Sequence, residues 1–119
     1  MTIKTTTAYE INAAGKSLGR VAAEAAKMLM GKTSADYTPN IRSDVKVTIS
    51  NVSKLTTREK KLVQTKFTRY TGYPGGLKTL SLQQLNETKP GEALRRAIER
   101  MMPRNTFRTE RMKNLTINV

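Results

Sequence analysis

Between Ser17 and Gly31 the residues Leu18, Val21, Ala22, Ala25 and Leu29 recur at the spacing of one helical face. Ser17 is placed to cap the start of this helix and Gly31 to stop it. No other stretch constrains the fold as much, because Ala22, Ala25 and Ala26 let the helix axis approach a sheet closely and the segments on either side read as strands. Tyr9 to Ala13 is a short strand closed by the turn signal Asn12-Ala13-Ala14-Gly15. Beyond the helix, Val45, Val47 and Ile49 alternate with Lys46, Thr48 and Ser50, the pattern of a strand with one apolar face. Strand, helix and strand in this order predict an α/β domain with at least part of its sheet parallel.

The remainder fits one domain over residues 8–119, preceded by a Thr-rich flexible tail at 1–7. Tyr37-Thr38-Pro39-Asn40 reads as a loop. Leu62 to Thr71 is rich in β-branched and aromatic residues, reads as extended, and runs into the bend Gly72-Tyr73-Pro74-Gly75-Gly76. Leu80 to Glu87 has room for one or two helical turns. Pro90-Gly91 opens a second helix, Glu92 to Met102, with an apolar stripe of Leu94, Ala97, Ile98 and Met101, and Pro103 prevents its continuation. Asn105 caps a third helix through Lys113, and Leu115, Ile117 and Val119 alternate as a terminal strand. One tension stands within this reading: strands covered on both faces should be continuously apolar, whereas those at Val45 and Leu115 alternate.

Charge narrows the function. The chain of 119 residues carries 22 Lys and Arg against 9 Asp and Glu, a net charge of +13. A compact fold with that charge repels itself unless a polyanion neutralises it, which makes nucleic acid the first partner to consider. Residues 1–50 hold seven cations against four acids, and residues 51–119 hold fifteen against five, so the polyanion is expected mainly on the second half. A membrane-surface role would want a longer amphipathic helix than Glu92 to Met102, and no run of about eighteen apolar residues is present. Without Cys or His, disulfides, thiolate and imidazole metal sites, and the usual general base of hydrolases are excluded. The first seven residues resemble no signal peptide, so a cytosolic location, free or in a particle, is expected.

Three motifs bear on that partner. Lys66 to Lys78 combines Lys66, Arg69 and Lys78 with the rings of Phe67, Tyr70 and Tyr73 and a glycine-rich bend, and contains no acid. Such a segment suits phosphate contact and base stacking, although a solvated surface turn has the same local pattern. Arg95, Arg96, Arg100, Arg104, Arg108, Arg111 and Lys113 form the second motif. Arg96 and Arg100 share a helical face directed away from Leu94 and Ile98, and guanidinium groups fork onto phosphate and stack on bases. The third, Gly15-Lys16-Ser17, invites a phosphate-loop reading, but the glycine required five residues earlier is Glu10, taken as a buried-strand residue of the wrong charge; Gly31-Lys32-Thr33 fails likewise at Ala26. Lys16 and Arg20 still stand at a helix start, where free amides favour an anion. The acids are scattered, several beside a cation at helical spacing, as with Glu92 and Arg96, and form no evident catalytic pair.

The order of motifs resembles one family. Asn12-Ala13-x-Gly15-Lys16-x-Leu18-Gly19-Arg20, Gly31-Lys32, Tyr37-Thr38-Pro39 and Val45-x-Val47-x-Ile49-x-Asn51-x-x-Lys54 are followed by Arg69-x-x-Gly72-Tyr73-Pro74-Gly75-Gly76-Leu77-Lys78 and Ala97-x-x-x-Met101-x-Pro103-x-Asn105. Collinear over about residues 8 to 118, they are similar to the L-thirteen family of bacterial large-subunit ribosomal proteins. The resemblance implies a three-layer α/β/α domain with a small, mainly parallel four-stranded sheet. It implies a structural constituent of the large ribosomal subunit, cytoplasmic, that binds large-subunit ribosomal RNA, helps early assembly, contacts neighbouring large-subunit proteins and catalyses nothing. Carried over by position, Arg69, Tyr73, Gly75, Gly76 and Lys78 fall in the family's RNA-facing loop, and Arg20 and Lys54 match its other basic positions.

With the charge patterns, the candidate RNA-binding residues are Lys16, Arg20, Lys54, Lys60, Lys61, Lys66, Arg69, Tyr70, Tyr73, Gly75, Gly76, Lys78, Arg95, Arg96, Arg100, Arg104, Arg108, Arg111 and Lys113. No catalytic residue, metal, cofactor, small-molecule substrate, membrane contact or homo-oligomer is expected. Asn12 departs from the usual Asp of the family, Tyr70 from His and Met102 from Leu. Members usually continue past the position of Val119 with a Gly- and His-containing tail, whose contacts are therefore not expected of these residues. Two further readings stand beside the first: an RNA-binding regulatory module acting off the ribosome, and a nucleotide-using enzyme on an α/β scaffold.

Overall fold

The computed structural model describes residues 7–33, 35 and 44–119. The loop at Tyr37-Thr38-Pro39-Asn40 and residues 1–6 of the expected tail lie outside the described residues. Strand β1 (Thr7–Asn12) takes in the last of the tail residues, and helix α1 (Leu18–Leu29) follows. Strand β2 (Val45–Ser50) and a 3₁₀ turn at Val52–Lys54 lead to α2 (Glu59–Gln64), β3 (Lys66–Tyr70) and β4 (Leu77–Ser81). Helices α3 (Leu82–Thr88), α4 (Glu92–Met101) and α5 (Thr106–Lys113) precede β5 (Leu115–Ile117).

The parallel sheet has three strands among the described residues, in the order β1-β2-β5, with Tyr9 beside Val47 and Val47 beside Leu115. This corrects the four-stranded expectation. Strands β3 and β4 form a separate antiparallel pair, because six intervening residues are too few for a parallel crossover. The extended segment is also shorter than expected: Leu62 to Gln64 belong to α2.

The tension over alternating strands resolves in the same way. Ile11, Val45, Val47 and Ile49 are buried on one sheet face in a single cluster with Val21, Ala22, Ala25, Leu29, Leu94, Ile98, Met102 and Met112. On the other face Ala8, Glu10, Asn12, Lys46 and Thr116 are exposed, and Thr48 and Ser50 are half-buried. The described helices cover one face only, so the three-layer expectation does not hold among the described residues. Glu10, expected in a buried strand, is exposed for the same reason.

Local signals explain most element ends. Gly31 adopts φ 80° just past the end of α1, and its N–H donates to Met28 O at 3.0 Å. Ser17 precedes α1 without a side-chain cap; it pairs with Thr56 in a parallel bridge instead. Asn105 caps α5, its Oδ1 accepting from Arg108 N–H at 3.2 Å. Ser81 and Gln84 form a reciprocal capping box that turns β4 directly into α3. Helix α4 ends at Met101, which is 44% exposed, and the extended Met102 turns back into the core in its place. The stripe expected at Met101 therefore shifts by one residue.

The small side chains of α1 serve a helix contact as much as a sheet contact, since α1 lies closely along α4. Helix α4 has a further role. Leu94 and Ile98 enter the main cluster, while Ala93 joins a second cluster with Phe67, Leu82 and Leu85, against which Leu62 packs. One helix thus fixes the β3–β4 hairpin to the sheet.

Candidate nucleic-acid interface

The hairpin register sets the first part of the site. Phe67 pairs with Leu80 and Arg69 with Lys78, and the period-two alternation of strands puts these four on one face. Two cations directly opposite one another on a ladder repel, which costs stability unless an anion bridges them. The turn is closed by Thr71 N–H to Gly76 O at 3.2 Å and by Gly76 N–H to Tyr73 O at 2.9 Å. A Cβ at Gly76 would collide with Thr71 Oγ1 and stand 2.9 Å from Tyr73 O, so the bend itself requires this glycine. Gly75, at φ 71° with nothing within 4 Å of its Cβ position, is open to an approaching backbone. Tyr70 and Tyr73 are 65% and 77% exposed.

Helix α4 supplies the second part. The Arg96 and Arg100 guanidinium carbons lie 5.5 and 5.9 Å from the centroid of the Phe67 ring, so one aromatic ring attracts both charges. Arg96 Nε donates to Glu92 Oε1 at 3.3 Å, and Arg108 of α5 meets Glu99 at 3.8 Å. A concave basin of about 320 Å³ results, lined by Arg69, Arg96, Arg100, Arg104 and Arg108 with Thr68 and Glu99. Five guanidinium groups around one carboxylate repel each other in the free protein and make a strong local anion field.

The other candidates fall into smaller groups. Gly15 N–H donates to Lys54 O at 3.1 Å and Thr56 N–H to Lys16 O at 3.0 Å, so the loops carrying Lys16 and Lys54 are joined at the C-terminal edge of the sheet. Asn12 ties that edge together: its Oδ1 accepts from Ala14 N–H at 3.1 Å and from Asn51 Nδ2 at 3.0 Å. Lys16 also lies 3.7 Å from Glu24, and Arg20 is exposed in the first turn of α1. Lys60, Lys61, Lys66, Arg95 and Lys113 are exposed but stand outside the basin.

Arg111 does not belong to this surface. It is 2% exposed, its guanidinium packs on Phe107 at 5.5 Å, and its Nε makes no hydrogen bond. It extends the arginine series of the sequence, but its position on α5 turns it inward beside buried Met112. Arg111→Met is expected to raise the thermal midpoint and leave RNA affinity unchanged. The substitution removes the desolvation cost of a buried guanidinium whose Nε lacks a partner and keeps a side chain of similar length in the packing. The lost cation–π contact, about 0.5–2 kcal/mol, is partly replaced by a sulfur–aromatic one. A drop in RNA affinity at unchanged stability would return Arg111 to the interface.

Tertiary structure gives two further residues a place at this site. Phe67 matters as the ring beneath Arg96 and Arg100 rather than as an exposed stacking face, a role visible only once α4 is docked. Lys89, just before Pro90-Gly91, lies beside Arg69, Lys78 and Arg96. Its position at the entry to α4 was the available signal.

An arginine-lined basin on an α/β frame is the kind of surface that proteins binding polyanions present. The family model for Ribosomal protein L13 matches residues 6–118, and the chain belongs to that family. It is 40% identical over 109 residues to the large ribosomal subunit protein uL13 of Pelotomaculum thermopropionicum, covering 92% of this chain and 76% of the relative. The uL13 proteins of Thermus thermophilus and Thermotoga maritima are 39% and 38% identical over 107 and 109 residues. Those matches cover 90% and 92% of this chain, and 76% and 73% of the relatives.

Proposed function

We propose that this chain is a structural, non-enzymatic constituent of the large ribosomal subunit in the cytoplasm. It binds large-subunit ribosomal RNA, takes part in early assembly and lies against neighbouring large-subunit proteins. The observation that carries this reading is the convergence of Arg69, Arg96, Arg100, Arg104 and Arg108 on one basin beside Lys78, in a chain of the L13 family. The RNA backbone lies across the basin, with Gly75 giving it close access to the hairpin tip and Tyr70 and Tyr73 offering stacking faces. Lys16, Arg20 and Lys54 form a second phosphate-contacting group at the sheet edge, and the remaining exposed cations add to the surrounding field. Co-sedimentation tests the proposal: about one copy per large subunit should survive a moderate salt wash. Recovery in free fractions alone would transfer the same surface to a regulatory RNA off the ribosome.

A further inference from the structure

The basin shares a wall with a second cavity of about 240 Å³, at Arg69 and Arg96. This slot has apolar walls from Phe67, Leu80 and Leu85, and its rim carries Arg69, Lys78, Lys89 and Arg96 with no acid. We infer that the slot receives one unpaired nucleobase of the bound RNA, swung out of its strand, while the adjoining phosphates lie in the basin. The inference rests on the RNA-binding reading above and specifies what that surface recognises.

Three observations support a base. Leu80 is 42% exposed although its ladder partner Phe67 is buried, so an apolar floor stands open inside a ring of cations. A bare phosphate or a duplex backbone gains nothing from such a floor, whereas a base attached to phosphates matches floor and rim together. The slot is also smaller than the roughly 300 Å³ at which small-molecule clefts begin, and suits a single flat ring system. Finally, Arg96 borders both cavities and is held in place by Phe67 and Glu92. A fixed guanidinium there can meet a base edge or face on one side and a phosphate on the other. RNA bases are read by proteins chiefly where bulges and loops splay them out.

The test uses the full chain and two RNA stems with the same base pairs, one fully paired and one carrying a single additional, bulged 2-aminopurine. The bulged stem should bind about tenfold tighter, and the emission of its 2-aminopurine should change on binding. Leu80→Trp fills the slot and keeps every cation, so it should bring the bulged stem down to the affinity of the paired one. The thermal midpoint of the variant reports its folding, and Leu80→Phe, a smaller filling, should give an intermediate loss. Equal binding of both stems by the unmodified chain overturns the slot assignment and leaves RNA binding standing. Failure to bind either stem overturns the RNA reading itself. Preference for the bulge that survives Leu80→Trp in a folded chain also overturns the assignment. Equal stem affinities together with poor subunit incorporation of Leu80→Trp would give the slot to a side chain of a neighbouring protein.

Discussion

Replacing Arg69, Arg96 and Arg100 together by glutamine is expected to weaken binding to large-subunit ribosomal RNA by about two orders of magnitude at physiological salt. The slope of log K against log salt should fall by about two to three at the same time. The three side chains come from two elements, β3 and α4, that are distant in sequence, yet they line one basin. Each phosphate contact releases nearly one counterion from the RNA, so three lost contacts change the salt dependence as well as the affinity. The Arg96–Glu92 pair is also lost, but a partly exposed ion pair contributes little to stability. The two cation–π contacts to Phe67, about 0.5–1 kcal/mol each, are lost as well; relief of repulsion offsets part of that cost, so the variant should melt slightly lower while remaining folded. An unchanged salt slope in a folded variant would place the RNA away from the basin.

Leu94→Ala should lower the free energy of unfolding by about 2–5 kcal/mol, read from the denaturant midpoint at constant slope. Leu94 is fully buried in the main cluster, on the turn of α4 that also carries Arg95 and Arg96. Truncation removes apolar burial and leaves a hole that α1, lying closely along α4, cannot readily collapse to fill. Against a total stability of roughly 5–15 kcal/mol this is a large fraction. A loss under about 1 kcal/mol would mean that α4 is anchored elsewhere, through Ala93 and the hairpin cluster.

Elements with strong local signals were legible in the sequence. The α1 stripe and Gly31, the Asn105 cap and the alternation of β2 each reappear in the structure because short-range physics decides them. Sheet partnership was not legible, since the extended character of Lys66 to Tyr70 says nothing of which strand it meets. The sheet face exposed among the described residues is legible in the alternation of Val45, Val47 and Ile49 with Lys46, Thr48 and Ser50, in contrast to the three layers that the family resemblance implies. For the candidate site, the arginine series was plain, but its partition into basin residues and an inward Arg111 depends on how α5 is rotated against the core. The part played by Phe67 likewise needs tertiary contact between α4 and the hairpin.

Helix α4, shared between the two apolar clusters, bears on when the chain becomes able to recognise anything. A partly folded chain has the same net charge as a finished one, yet its cations are strung along a backbone. Only after Ala93 and Leu94 have found their separate partners do Arg96 and Arg100 of α4 come together with Arg69 of the hairpin. Recognition by this surface is then also an inspection: RNA that needs the assembled basin selects chains whose folding is complete.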